Sequence, residues 1–486
     1  MTHFLGREIA RVLAVSTYLA TRFFFLRALA LVYLVAFWVA ARQYVPLAGE
    51  HGLLPFPEYL GRLPSFWRAP SLLWFFRSDG AVKVISWAGI LLAGLALSGQ
   101  SDAHGVGWAF FTWLGLYVLY LSLVNAGQVF YGYGWETLLL ETGFLAPWLG
   151  PAGWATPRIT IWLLRWVLFR VMLGAGLIKL RGDPCWRSLT CLHYHFETQP
   201  LPNPLSWYFH RLPGKVKKLG VLLTHFVELV VPWALLAPPP LCYLAGGLTA
   251  LLQLILIISG NLSWLNYIAL VLCLACFDDR ALAGLGPTGA TAVQPPFGFQ
   301  LGVWLAAGLV LALSYFPVRN MISRAQAMNA SYNPFHLVNT YGAFGGVTRQ
   351  RFEVVLEGTA STTPDARADW REYVFKYEPG PVRRRPPVIA PYHSRLDWQM
   401  WFAGMSPAWV QPWLIRVVHR LLQRDPGLLR LMGPDPFSGA APRFIRARRF
   451  RYWFADPDLR RSGVWWQREL VGEVLPPLSL EDFDSS

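Results

Sequence analysis

Residues 159–180 read ITIWLLRWVLFRVMLGAGLIKL, an almost unbroken apolar run that carries Arg165, Arg170 and Lys179 inside it. A helix needs about 20 mostly apolar residues to cross the hydrocarbon of a bilayer, and this run has that length. Ionisable side chains at bilayer depth are costly; they normally face a protein interior or a cavity, paired with one another. The run therefore predicts a spanning helix that belongs to a multi-helix bundle.

Working outward, the same criterion selects 23–41, 81–98, 107–127, 219–238, 241–259, 262–277 and 299–316 as further spans. The stretch 134–150, GWETLLLETGFLAPWLG, is apolar apart from Glu136 and Glu141 and reads as a re-entrant or interfacial helix. Trp113, Trp148, Trp162, Trp207 and Trp264 sit at run ends, where aromatic belts form. Of the 486 residues, 54% are hydrophobic and 15% charged, against about 25% charged in a soluble domain. The net charge of +15 suits either nucleic acid or an anionic membrane surface. The apolar runs decide for membrane lipid and against nucleic acid. Arg7, Arg11, Arg22 and Arg27 precede or open the first run, and no small-residue cleavage site follows it, so it reads as a signal anchor.

Beyond about residue 317 the spanning runs stop and arginine becomes frequent. FEVVLEGT (352–359), EYVFKYEPG (372–380) and FIRARRFRYWF (444–454) read as strands, and 408–423 as an amphipathic helix. The expected fold is a multi-spanning α-helical bundle over 1–316, followed by a β-rich mixed α/β domain over 317–486.

Several residues carry chemistry. His225 and Glu228 lie within the run 219–238, so Lys179 faces two readings: a polar site between that run and 159–180, or a structural ion pair. Cys185 and Cys191 lie in a polar connector; in an oxidising compartment they form a disulfide or redox pair, otherwise two inert thiols. Cys191, His193 and His195 alternate as metal ligands would, but no second close Cys/His pair completes a zinc site, and neither metal nor cofactor is expected. His393, Arg395 and Asp397 alternate along what reads as extended chain, where an Arg–Asp pair would fix a loop. No GxSxG elbow marks a lipase. Asn329-Ala-Ser and Asn261-Leu-Ser have the form of glycosylation acceptors.

Five segments together resemble the lipase maturation factor family: GYGWETLLLETGFLAPW (132–148), RGDPCWRSLTCLHYHFETQPLPNPLSWYFH (181–210), SGNLSWLNYI (259–268), NPFHLVNTYGAFGGVTR (333–349) and RRRPPVIAPYHSRLDWQMWFA (383–403). The resemblance implies a membrane-embedded folding factor for secreted lipases, in the endoplasmic reticulum membrane of a eukaryotic host or the inner membrane of a bacterial one. It also implies a C-terminal domain that meets its clients, with Asn333, His336, Asn339, Tyr341, Phe344, His393, Arg395 and Asp397 as client-binding candidates. A second resemblance supplies an enzymatic alternative. LLRWVLFRVMLGAGLIKLRGDPCW (163–186) followed by THFVELVVPW (224–233) is similar to the membrane region of vitamin K-dependent γ-carboxylase. In that reading Lys179 is a base, with His225 and Glu228 nearby; the wider class is carboxylase-like or oxidoreductase chemistry.

Orientation sets two arguments against each other. The N-terminal arginines favour a cytoplasmic N-terminus, and an even number of spans would return the C-terminal domain to the cytoplasm. A factor for exported lipases needs that domain on the far side, hence an odd number of passes. Either one run fails to span, the pair 241–259 and 262–277 being the most doubtful, or 134–150 crosses. The expectation is an exoplasmic C-terminal domain. Alkaline carbonate should leave the protein in the membrane pellet and detergent should release it; recovery in the carbonate supernatant would end the membrane reading.

Overall fold

The computed structural model describes residues 17–286, 292–405, 411–438 and 440–484; Arg7, Arg11 and the first residues of the helix expected at 408–423 lie outside it. The N-terminal part is a bundle of helices α1 (Leu19–Ala48), α2 (Asp79–Leu97), α3 (Val106–Ala126), α4 (Gly134–Leu145), α5 (Arg158–Arg181), α6 (Gly214–Leu235), α7 (Leu241–Ser259), α8 (Leu265–Cys276) and α9 (Phe297–Ile322). Seven of them are long and apolar enough to cross a membrane; α4 and α8 are shorter. Of α5's apolar window 72% is buried, against 33% for α2, α6, α7 and α9, so α5 is the central helix and the others turn faces to lipid.

Contacts at the helix ends sort the bundle into two poles. At the first, the N–H groups of Leu19 and Ala20 that open α1 bond the Asp279 carboxylate at 3.0 and 2.8 Å, a cap supplied from across the bundle. Arg22 reaches the carbonyls of Ala152 and Trp154, both at 2.7 Å, and Arg27 pairs with Asp102 at 2.9 Å. At the second pole, Asn125 at the end of α3 donates to Pro334, and Glu136 near the start of α4 pairs with Arg395. Since α4 begins at the second pole and leads to Ala152 at the first, it traverses the bundle. Among the described residues neither α4 nor α8, the second of the doubtful pair 241–259 and 262–277, is long enough and apolar enough to count as a span. The candidate spans among the described residues number seven, an odd count, and α9 ends at the pole opposite Leu19.

The short link between α7 and α8 also holds. Gly260 is fully extended and Ser263 adopts φ +53°, which folds the turn tightly. Asn261 is 1% exposed, accepts N–H groups of Ile389 and Ala390 at 2.9 and 3.1 Å, and donates to Pro387 at 2.9 Å. It is a strut to the C-terminal domain, out of reach of glycosylation. A helix of α8's length spans about 18 Å, less than the hydrocarbon core, and α8 is packed inside the bundle. Within α6 the turn Phe226–Val230 widens to a π-helix. Pro232 lacks the N–H that would bond the Glu228 carbonyl, and its ring crowds that carbonyl.

The last helix runs to Ile322, and after it come two small antiparallel sheets. β1 (Ala330–Ser331) pairs with β2 (Asn339–Thr340). β3 (Arg351–Thr359), β4 (Arg371–Tyr373), β5 (Phe444–Phe454) and β6 (Trp466–Leu478) form a sheet in the order β4-β3-β5-β6. β5 buries Ile445, Ala447, Phe450, Tyr452 and Phe454, while Arg446 and Arg448 on its other face both bond Glu357 of β3. The strand expected at 372–380 stops at Tyr373. β6 gave no clear alternation in the sequence because slips of register against β5 break its period. α10 (Arg395–Met405) and α11 (Pro412–Leu422) cover the sheet, α11 through Trp413, Leu414, Val417, Val418, Leu421 and Leu422.

Three carboxyls meet beneath the sheet: Glu353 on β3, Glu378, and Asp397 in the first turn of α10, with Arg351 as the nearest base. Burial holds all three above the usual carboxylate range, and for Glu378 the charges of Glu353 and Asp397 add to it. An acid whose folded pKa is raised contributes most below its unfolded value, near about 4.3, and loses that contribution as pH rises. Glu378→Gln should therefore stabilise the protein at pH 8, on the order of 1.4 kcal/mol per unit of displacement removed, with the gain shrinking toward pH 5. Thermal unfolding in detergent across that range checks the sign.

Candidate functional site

The basic residues of α5 all have partners. Arg165 donates to the Ala275 carbonyl at 2.8 Å and to the Tyr18 hydroxyl at 3.1 Å, fastening α5 to the end of α8. Arg170 forms a buried ion pair with Glu141 of α4 and donates to the Asn339 carbonyl at 2.6 Å. The same Glu141 carboxylate accepts Asn339 N at 3.0 Å, Asn339 Nδ2 at 3.1 Å and the Tyr341 hydroxyl at 2.6 Å. Lys179 donates to both oxygens of Glu228, at 2.6 and 2.7 Å, and lies 5.4 Å from the Trp186 ring centre. His225 stands apart from that pair, its Nε2 3.1 Å from the Trp186 carbonyl. An amine acting as a base would first have to leave Glu228. The glycines before Lys179 serve packing: a Cβ at position 174 would collide with the Tyr341 carbonyl.

The connector after α5 closes at the second pole. Cys185 and Cys191 are joined in a disulfide packed with Trp186, Val221 and Val347. Asp183 accepts Cys185 N at 2.9 Å and two bonds from Arg349, at 3.0 and 2.7 Å; the guanidinium holds its carboxyl below the usual range. His195 is buried with its ring 4.9 Å from Phe344, and burial pushes it down to about 4. Among the described residues no group of His, Cys, Asp and Glu is arranged to hold a metal.

The C-terminal candidates divide into interior and surface. Asn339 and Tyr341 belong to the Glu141 cluster. Arg395 does not pair with Asp397, as its spacing suggested; both lie in the first turn of α10 rather than in extended chain. Arg395 reaches across to Glu136 at 2.8 Å and the Phe130 carbonyl at 2.6 Å, stacking over Tyr131 at 3.4 Å. Asp397 instead accepts the N–H groups of Tyr377 and Glu378 at 2.6 and 3.2 Å. His393 is enclosed by the rings of Tyr133, Trp135, Trp264 and Trp398, and burial pushes it down to about 4. His336 lies at the surface end of the group with φ +54°; its Nε2 is 2.8 Å from Asn125 Oδ1 and its Nδ1 is 2.6 Å from Ser331 Oγ. Burial holds it near 4, so it is neutral at pH 7. Glu136 and Glu141 are the residues that reading the chain linearly undervalued. Their signal was present, because an acid in an apolar run requires a buried base.

Breaking one partner of a buried pair leaves an uncompensated charge, at about 3–5 kcal/mol, whereas replacing both with apolar residues is often near neutral. Lys179→Met and Glu228→Leu alone should each lower the unfolding temperature, and the double variant should recover most of the loss. Heat-induced labelling of the buried Cys242, Cys273 and Cys276 reports the transition.

Comparison with known proteins matches the same two parts. Residues 20–284 match the lipase maturation factor transmembrane domain, and residues 337–476 the lipase maturation factor C-terminal domain. The chain is 42% identical to lipase maturation factor 1 of Bos taurus, over 98% of this chain and 92% of that protein. It is 41% identical to lipase maturation factor 1 of Homo sapiens (96% and 89%) and 31% identical to lipase maturation factor 2 of Homo sapiens (94% and 82%). No solved structure matches it. A helical bundle of seven long apolar helices, an appended antiparallel sheet and similarity along nearly the whole chain have one common account: this is an integral membrane protein that belongs to the lipase maturation factor family.

Proposed function

We propose that this protein matures exported lipases from within the membrane, and that its C-terminal domain faces the oxidising, non-cytoplasmic side. The relatives' names support a lipase client. The orientation is carried by one observation. The Cys185–Cys191 disulfide lies at the pole that bears the C-terminal domain, while the free Cys242, Cys273 and Cys276 cluster toward the other, near the α6–α7 turn and the end of α8. Disulfides form and persist in oxidising compartments and are rare in reducing ones. The seven candidate spans among the described residues, an odd number, agree with it.

In a eukaryotic host that compartment is the lumen of the endoplasmic reticulum, and in a bacterial host the space outside the inner membrane. The work is non-covalent: the interior charges are committed to one another, and the surface of the second pole is what a folding client can reach.

A tag after residue 486 should be protected from protease in sealed vesicles of native orientation and become cleavable only after detergent. Loss of the protein should lower the secreted activity of a co-expressed lipase without lowering its synthesis. A tag digested in intact vesicles, or lipase activity indifferent to the protein, would overturn the reading.

A further inference from the structure

At the second pole, a cleft of about 630 Å³ opens between the bundle and the start of the C-terminal region. One wall is the α1–α2 loop, with Trp67 and Arg68; another is the end of α3, with Asn125; the third is the segment of Asn329, Tyr332 and Asn333. Its floor includes Tyr131 and Tyr133, which are backed by Arg395 and His393.

The hydrogen-bond balance of this lining is one-sided. Asn125 is spent: its Nδ2 donates to Pro70 and Pro334 at 2.8 and 3.0 Å, and its Oδ1 faces His336. Asn333 Oδ1 accepts the N–H groups of Phe335 and Leu337 at 3.1 and 3.3 Å, but its Nδ2 is buried and has no partner. Asn329 Oδ1 accepts Gly342 N at 3.2 Å, and among the described residues nothing accepts from its Nδ2. Arg68 has neither an ion pair nor a side-chain hydrogen bond among the described residues. A buried donor without an acceptor costs about 1–3 kcal/mol, so Asn333 Nδ2 calls for a ligand that supplies an acceptor oxygen, and the exposed Asn329 and Arg68 offer that ligand further donors. Trp67, 67% exposed, and Tyr332, 37% exposed, offer it apolar flanks.

We propose that this cleft holds an extended, unfolded segment of client polypeptide. Its backbone carbonyls accept from Asn333 and Asn329, an acidic side chain lies against Arg68, and apolar side chains lie on Trp67 and Tyr332. The proposal rests on the maturation reading and adds to it the place and the chemistry of client capture. A lipid phosphate fits less well, because Arg68 is the one permanent cation in the lining and His336 is neutral. A sugar, rich in hydroxyl donors, meets no carboxylate and asparagine oxygens that are already occupied.

The test uses the full chain in nanodiscs, with urea-unfolded lipase diluted in as the probe. A benzophenone amino acid is placed at Trp67 or Tyr332, at Leu459 on the C-terminal domain, or at Leu285 at the opposite pole; all four are exposed. Crosslinks should form from Trp67 and Tyr332 and not from Leu285. Asn333→Asp keeps the oxygen that holds the turn and removes the donor; Arg68→Gln removes the charge. Each should cut the crosslink yield about tenfold, the equivalent of one charge-assisted or otherwise unreplaced hydrogen bond. Crosslinks from Leu459 without any from Trp67 or Tyr332, or yields unchanged in both variants, would refute the cleft and leave the maturation reading standing. Absence of crosslinks from every position, with lipase recovery independent of the protein, would sink both.

Discussion

The carboxylate of Glu141 is the point on which the two parts of the protein depend. It is buried in the bundle, and on it converge Arg170 from the central helix, the backbone and side chain of Asn339, and the hydroxyl of Tyr341. An isolated carboxylate in such surroundings would cost many kcal/mol, and pairing alone seldom recovers that. Here three further donors fill its remaining lone pairs. Because Asn339 and Tyr341 belong to the segment after α9, the bundle reaches its satisfied state only when that segment is seated. The start of the C-terminal domain is thus a structural component of the membrane part.

Other contacts repeat this logic at the same pole. Glu136 takes Arg395 of α10, Gln43 of α1 donates to the His393 carbonyl at 2.7 Å, and Asn261 holds the 387–390 backbone. Arg351 of β3 donates to the Pro200 carbonyl of the connector at 2.8 Å. Gly174 lets the Tyr341 carbonyl approach α5 where any side chain would keep it away. A domain so interlocked moves with the bundle. The cleft beside Asn333 lies on this seam, where a bound segment would touch both parts at once.

The family's apparent motifs take on distinct meanings in this light. The segment 333–349 supplies both interior struts, Asn339 and Tyr341, and the cleft residues Asn333 and His336. The likeness of 163–186 to a carboxylase reflects a glycine-packed helix end whose lysine pairs with Glu228. Similar residues at a similar spacing can satisfy a packing problem, and likeness alone does not carry chemistry.

The sequence by itself determined the membrane class, most of the spans, and β3 and β5, because apolar length and strand alternation are local properties. It also displayed the unpaired ionisable residues, although not their partners. Only the tertiary structure decided that 134–152 runs from one pole of the bundle to the other, that the α7–α8 turn closes, that Arg395 answers Glu136 rather than Asp397, and that Cys185 meets Cys191 at the pole of the C-terminal domain. The reason is physical. A charge in an apolar run states that a partner must exist, but which of several distant ions fills that role depends on how helices far apart in sequence are brought together.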